Sequence, residues 1–374
     1  MAIVINSATS DCLFITEDGD AKVAPRRFLN QHYSQLIGGN LEDVSRDGVQ
    51  YKAFPFSNII GGYFVILYSD GDAHASSDRQ IMARKPAASI LDNSTAWEQV
   101  TFFENSSAVF NFSLLTDIMT NGESFLFKVW TVTKTAGVVA QSTLSSSVVS
   151  GFSDSDIDGN YAMWSKSRLY AGNYYRVGYS FAGAEWNSVL FESADQITWA
   201  IKGFIAKGIG AGLKFSEADI VETTSGNYLA VIREDSGTGR PLYTSTSTNL
   251  ITWTTPVLST EFEGTQPNLI KLSSGSILLS VGDRVGSSGL DFGGVPSNFP
   301  TVTGIKTYIS TNNASTFSVG TNFDLSWSTD CGQPMMEEVL PGFIAMSYYN
   351  SLKQTNSVTE PGIRNKVFTA GNVL

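Results

Sequence analysis

One pattern recurs along the chain: a short apolar strand, a tight turn containing glycine, and a second apolar strand. It reads IVETTSGNYLAVI at 220–232, LIKLSSGSILLSV at 269–281 and EEVLPGFIAMSY at 337–348. A polar turn closing on an aromatic residue recurs beside it, as SADQITW (193–199) and STNLITW (247–253). STNNASTF (310–317) is a looser copy and DNSTAW (92–97) a degenerate one. Trp199 and Trp253 are 54 residues apart, and Trp97 and Trp199 are 102 apart, which fits two repeats with one unrecognised copy between them. A period of about fifty residues made of strand–turn–strand pairs is the size of one four-stranded propeller blade. A single blade cannot bury both of its faces, but blades stacked around an axis can, and the stacking also protects their edges. The expectation is an all-β, six-bladed β-propeller over residues 52–374, preceded by a short N-terminal segment, 1–51.

Residues 1–51 lack the repeat and carry mixed charge in APRRFLNQHYSQLIGGNLEDVSRDG. Three readings stay open for them: an assembly or attachment arm, a closing strand, or a partly helical arm. Elsewhere helical periodicity is nearly absent. Runs such as YFVILYS (63–69), SFLFKVWTV (124–132) and YYRVGYSF (174–181) are rich in β-branched and aromatic residues and end at Gly, Ser, Asn or Asp. That is the pattern of short antiparallel strands. In the polar turns, the Asp or Asn side chain ties up local backbone N–H groups, which is a structural task.

Composition limits the partners. The net charge of −11 argues against general nucleic-acid binding, which needs a basic surface. It leaves room for an anionic sugar held by a few converging arginines, since that recognition is local. Cys12 and Cys331 form no disulfide framework or zinc pattern. His32 and His74 are the only histidines, so no His-rich metal site is expected. The Asp/Gly turns SRDG, SDGD and SDIDG do not complete a calcium-loop pattern. No cofactor and no metal are expected. The start MAIVINSATSDC has no basic region ahead of an apolar one, so no signal peptide is expected; with no long apolar run in the sequence, a soluble protein made in a cytoplasm is expected.

Charged residues flank the strand pairs. SEADIVETTSGNYLAVIRE places Glu217 ahead of a hairpin and Arg233 at its end, 16 residues on. Arg284 follows LIKLSSGSILLSVGD a further 51 residues along, a spacing that suggests the same point of successive blades. A guanidinium presents a fixed fork that matches a carboxylate in two bonds, which a lysine cannot do. The local alternative is pairing of Arg233 and Arg284 with Glu234, Asp235 and Asp283. Glu217 can act as an acid or base at a glycosidic oxygen, or it can orient Arg233 without moving a proton. The second group that hydrolysis normally requires is not fixed by the sequence; Asp72, His74 and Asp219 are candidates. The aromatic stretch NYAMWSKSRLYAGNYYRVGY offers Trp164 and Tyr174 for stacking on a sugar, although strands of this kind are commonly core.

The polar turns resemble the Asp-box repeats of sialidases. Glu217, Arg233 and Arg284 resemble the glutamate and two arginines of that family, and the chain looks most like the propeller domain of bacteriophage endosialidase tailspikes. YSDGDAHASSD (68–78) resembles an early-blade loop of the family and places His74 where an active-site histidine is expected. The stretch STDCGQPMMEE (328–338) carries no tyrosine where exosialidases have their nucleophile. The resemblance implies catalytic roles for Glu217 and His74, and substrate binding by Arg233 and Arg284. It implies an endo-acting glycosidase that binds, and in its active form cleaves, an acidic polysaccharide. It also implies a homo-oligomer, a trimer by analogy, among the tail proteins of a virion, made in the host cytoplasm. The alternatives are a receptor-binding propeller without turnover and a structural virion protein.

Overall fold

A computed structural model describes residues 3–5, 11–15, 21–25, 41–45, 51–60, 62–71, 79–92, 94–104, 112–121, 124–132, 139–145, 148–153, 161–180, 185–194, 200–208, 210–235, 241–283, 303–326, 331–353 and 359–369. Strands β1 (Ile3–Ile5), β2 (Asp11–Ile15) and β3 (Ala21–Pro25) make a small antiparallel sheet. Strand β4 (Leu41–Ser45) follows. The next sheet is β5 (Tyr51–Ile60), β6 (Tyr63–Gly71), β7 (Arg79–Pro86) and β8 (Glu98–Glu104). Then come β9 (Phe112–Asn121), β10 (Ser124–Val132), β11 (Val139–Ser145) and β12 (Val148–Ser153). A more complex sheet holds β13 (Tyr161–Met163), β14 (Arg168–Tyr170), β15 (Asn173–Ser180), β16 (Asn187–Ser193) and β17 (Ala200–Lys207). It is followed by β18 (Phe215–Thr224), β19 (Asn227–Glu234), β20 (Pro241–Ser247) and β21 (Val257–Glu263). The fourth strand group after β4 to repeat this simple order is β22 (Thr265–Lys271), β23 (Ile277–Asp283), β24 (Thr303–Ser310) and β25 (Ser318–Ser326). Strands β26 (Cys331–Leu340), β27 (Phe343–Lys353) and β28 (Thr359–Thr369) complete the series.

Within each simple sheet the strands pair in chain order, antiparallel throughout. The first strands are neighbours across sheets: β18 beside β22, β22 beside β26, β26 beside β5, and β5 beside β9, while β15 lies against β18. First strands therefore line the axis and later strands lie outward, which is the arrangement of a propeller. The last sheet takes its outer strand from the other end of the sequence. Leu41–Ser45 pairs antiparallel with β28, with Leu41 opposite Lys366 and Ser45 opposite Ile363. The ring thus draws on residues ahead of position 52, and the two ends of the chain meet in a ladder of backbone hydrogen bonds within the last sheet.

The expected number of regular blades is corrected. The sequence predicts six four-stranded blades; the structure shows five. The sheet β13–β17 departs from the form because the segment YAMWSKSRLY is broken into two short strands, β13 and β14, which both pair with β15. Between them Trp164 and Ser165 both donate their backbone N–H to Val177 O, at 2.8 and 3.0 Å. This break turns residues 164–168 inward. Trp164, expected as a candidate for sugar stacking, is 2% exposed and belongs to the buried cluster that includes Phe54, Phe56, Met335 and Tyr349. It is a core residue, and Tyr174 packs against the same cluster.

The strand patterning follows from double-sided burial. Strands β19 and β23 are buried along most of their length, so they read as nearly continuous apolar runs. Outer strands β17 and β21 alternate poorly and expose Phe204, Val257 and Leu258. Gly226 and Gly275 sit in the turns β18–β19 and β22–β23 with φ of 73° and 88°, where a side chain would be strained. No helix among the described residues is long and apolar enough to cross a membrane.

Candidate functional site

Glu217 is positioned by a bulge. Between the pairs Phe215–Glu234 and Ala218–Ile232, the two residues Ser216 and Glu217 oppose a single residue of β19, which is Arg233. Such an insertion bends the strand and re-aims the extra side chain. Arg233 Nη1 donates to Glu217 Oε2 at 2.6 Å, and Nη2 donates to Asp235 Oδ1 at 2.5 Å. The side chains of Arg233, Glu217 and Asp235 are 16%, 10% and 32% exposed. Burial works against the charge of Arg233, but the carboxylates of Glu217 and Asp235 outweigh it and hold the guanidinium protonated well above its ordinary range. Its Nε is buried and has no hydrogen-bond partner among the described residues. Tyr179 of β15 shares this environment: burial pushes its hydroxyl far up, and the negative charge of Glu217 adds to the shift. Sequence reasoning singled out neither Asp235 as a site member nor Tyr179; the run YYRVGYSF marks a strand but not which of its tyrosines meets the pair.

Near the end of β23, Gly282 lies against the next sheet: a Cβ there would lie 2.9 Å from Gly332 Cα. Arg284, His74 and Asp72 lie outside the described residues.

Asp219, a candidate for the second acid, is instead the hub of a structural network. Its Oδ2 accepts from Arg168 Nη2 at 2.5 Å, Leu269 N at 2.8 Å and Asn268 Nδ2 at 3.1 Å. Its Oδ1 accepts from Ile220 N at 2.9 Å and Arg168 Nε at 3.2 Å. Arg168 Nη2 also donates to Leu269 O. With five donors around it, this buried carboxylate has no lone pair to offer a substrate. The same reach from sheet to sheet recurs: Asn268 Oδ1 accepts from Met336 N, and Gln266 Oε1 accepts from Gln333 N, each at 2.8 Å. Gln333 Nε2 in turn donates to Pro55 O at 3.3 Å. Lys166 crosses to β26, donating to Met336 O at 2.7 Å and pairing with Glu337. Lys166 and Arg168 thus tie the irregular sheet to the inner strands β26, β18 and β22. The sequence carries no visible sign that Arg168 would be placed there.

Among the described residues no group of three or more His, Cys, Asp or Glu side chains could hold a metal ion. Cys331 is buried in the core.

The fold is that of an all-β propeller, and sialidases are among the solved structures it resembles. No protein-family model matches the sequence, and no curated protein matches it either. Solved structures do. A protein of unknown function from Dyadobacter fermentans is similar with a TM-score of 0.64 at 16% identity, over 88% of this chain and 98% of that one. The Hadza microbial sialidase Hz136 is similar with a TM-score of 0.61 at 12% identity, over 87% of this chain and 66% of that one. The endosialidase of phage phi92 is similar with a TM-score of 0.60 at 7% identity, over 88% of this chain and 69% of that one. At these identities the likeness establishes the fold alone.

Proposed function

We propose that this chain is a glycan-binding propeller whose central site is the Arg233 guanidinium with Glu217 and Asp235, and whose ligand is an acidic saccharide of the sialic acid type. The observation that carries the reading is the state of Arg233: a charged, largely buried fork held at a bulge on the inner end of β18–β19. Both terminal nitrogens already hold carboxylates, so an incoming sugar carboxylate must replace one. Asp235 is the more exposed partner and the one exchanged; Glu217 stays and fixes the rotamer. The names of two fold neighbours, a sialidase and a phage endosialidase, support the sugar class. In this reading the sheet β13–β17 counts as a sixth blade. The protein serves as a homotrimeric phage tail or tailspike component that engages a host surface polysaccharide, with Arg284 as a further carboxylate ligand and His74 beside it.

Hydrolysis is the second reading, with Glu217 as the acid or base. Glycoside hydrolysis normally requires a pair of groups. The commitment of Asp219 to five donors removes one of them and favours binding over turnover. The test is retention on polysialic acid, followed by chain-length analysis of the polymer. Wild-type protein is expected to be retained, and Arg233→Met, with its fold checked by circular dichroism, to lose at least tenfold in affinity. Glu217→Gln is expected to keep binding and to abolish any shortening of the polymer. Equal affinity of the folded Arg233→Met protein overturns the assignment.

A further inference from the structure

A second site lies at the other end of the same strands. From Glu217 to Thr223 β18 runs six residues, which at about 3.3 Å per residue is roughly 20 Å. There a groove of about 700 Å³ opens between the β18–β21 sheet and its neighbour. That size falls within the ~300–1,000 Å³ of small-molecule sites. Its walls come from the two polar turns that the sequence repeats, STNLITW and STNNASTF, and from the start of β19.

The lining has a distinct chemistry. Among the described residues it includes no charged side chain; threonine, serine and asparagine surround the apolar Leu229 and Ala314 and two aromatics, Tyr228 and Trp253. Thr248, Thr252 and Asn313 are exposed, and their side chains make no hydrogen bond to any described residue. Asn249 spends its Oδ1 on the N–H groups of Ile251 and Thr252, at 2.9 and 2.8 Å, and on the Ser247 hydroxyl at 3.3 Å, which fixes the turn. Hydroxyls and amides both donate and accept, so they match a ligand whose groups do the same. The absence of Lys and Arg leaves nothing to neutralise a phosphate or a carboxylate. An apolar floor of Leu229, Ala314 and the ring of Trp253 with a hydroxylated rim suits a ligand that is apolar on one face and hydroxylated at its edge.

From this lining we infer that the groove binds an uncharged oligosaccharide, independently of the Arg233 site. The two sites sit at opposite ends of β18 and β19, so they belong to opposite faces of the ring and can hold one branched glycan only at separate points. The experiment is affinity electrophoresis of the full chain through gels containing dextran, arabinan or galactan, with polysialic acid as a fourth gel. Retardation in at least one neutral gel is expected, with at least a tenfold loss of apparent affinity in Thr248→Arg/Thr252→Arg, whose exposed positions leave the urea midpoint unchanged. Glu217→Gln and Arg233→Met are expected to migrate as wild type in the neutral gel. Free migration in all three neutral gels overturns the inference. So does retardation that survives the double substitution, or that is lost on changing Arg233. Failure on polysialic acid alone bears on the central site and leaves this one standing.

Discussion

Asp219 shows how a residue's type can mislead about its task. A carboxylate two residues from Glu217 reads as a catalytic partner, yet its two oxygens accept five hydrogen bonds from three sheets. Removing one partner of a buried, hydrogen-bonded ion pair costs about 3–5 kcal/mol, because the other charge stays buried and uncompensated. Asp219→Ala is therefore expected to lower the unfolding free energy by about that amount through the stranded Arg168, as read from urea denaturation followed by tryptophan fluorescence. Asp219→Ala/Arg168→Met is expected to recover part of the loss; a double variant less stable than the single one would contradict the hub. Glu217 and Arg233 were legible in the sequence because a hairpin brings positions 16 apart to one ladder. The partners of Asp219 were not, since Arg168, Asn268 and Leu269 come to it from two other sheets that no local pattern joins.

At the scale of the element, a single carboxylate laces the sheet β13–β17. Glu192 on β16 accepts from Asn173 and Tyr175 on β15, at 3.0 and 2.6 Å, and pairs with Lys202 on β17 at 2.8 Å. Burial pushes its pKa up, but the bonds from Lys202, Tyr175 and Asn173 outweigh that and leave it below the model-peptide value of 4.5. Tyr175 is pushed up to about 12 by burial and by this bond. A carboxylate depressed in the folded state contributes stability above its unfolded pKa and loses it as pH falls through the folded value. Wild type is therefore expected to melt higher than Glu192→Gln at neutral pH, with the gap closing as pH drops below about 4.5. Scanning calorimetry from pH 7 to about 3 measures this, and a gap that widens on acidification would exclude it. The strands of this sheet were legible as alternating apolar runs. Its extra strand was not, because YAMWSKSRLY has the composition of one strand and the break at Ser165 arises from what Trp164 and Lys166 reach.

At the scale of the molecule, closure depends on two short partners far apart in sequence. Strand β4 supplies the outer edge of the last sheet, and no local pattern announces that LEDVS pairs with GIRNK. The sequence left a closing strand as one of three roles for residues 1–51 for that reason: pairing across the whole chain has no periodicity to betray it. A variant lacking residues 1–45 is expected to expose the edge of β28 and self-associate, since an unpaired strand edge templates pairing with another copy. Light scattering after gel filtration reads the outcome. A peptide spanning 39–49 added in trans is expected to restore the original elution; a truncated chain that stays monodisperse without it would show the seam to be dispensable. The irregular sheet has its own consequence. Lys166 and Arg168 anchor it to β26, β18 and β22 at once. A pull on any one of those strands is thus shared by its neighbours, like a load on a spoked wheel.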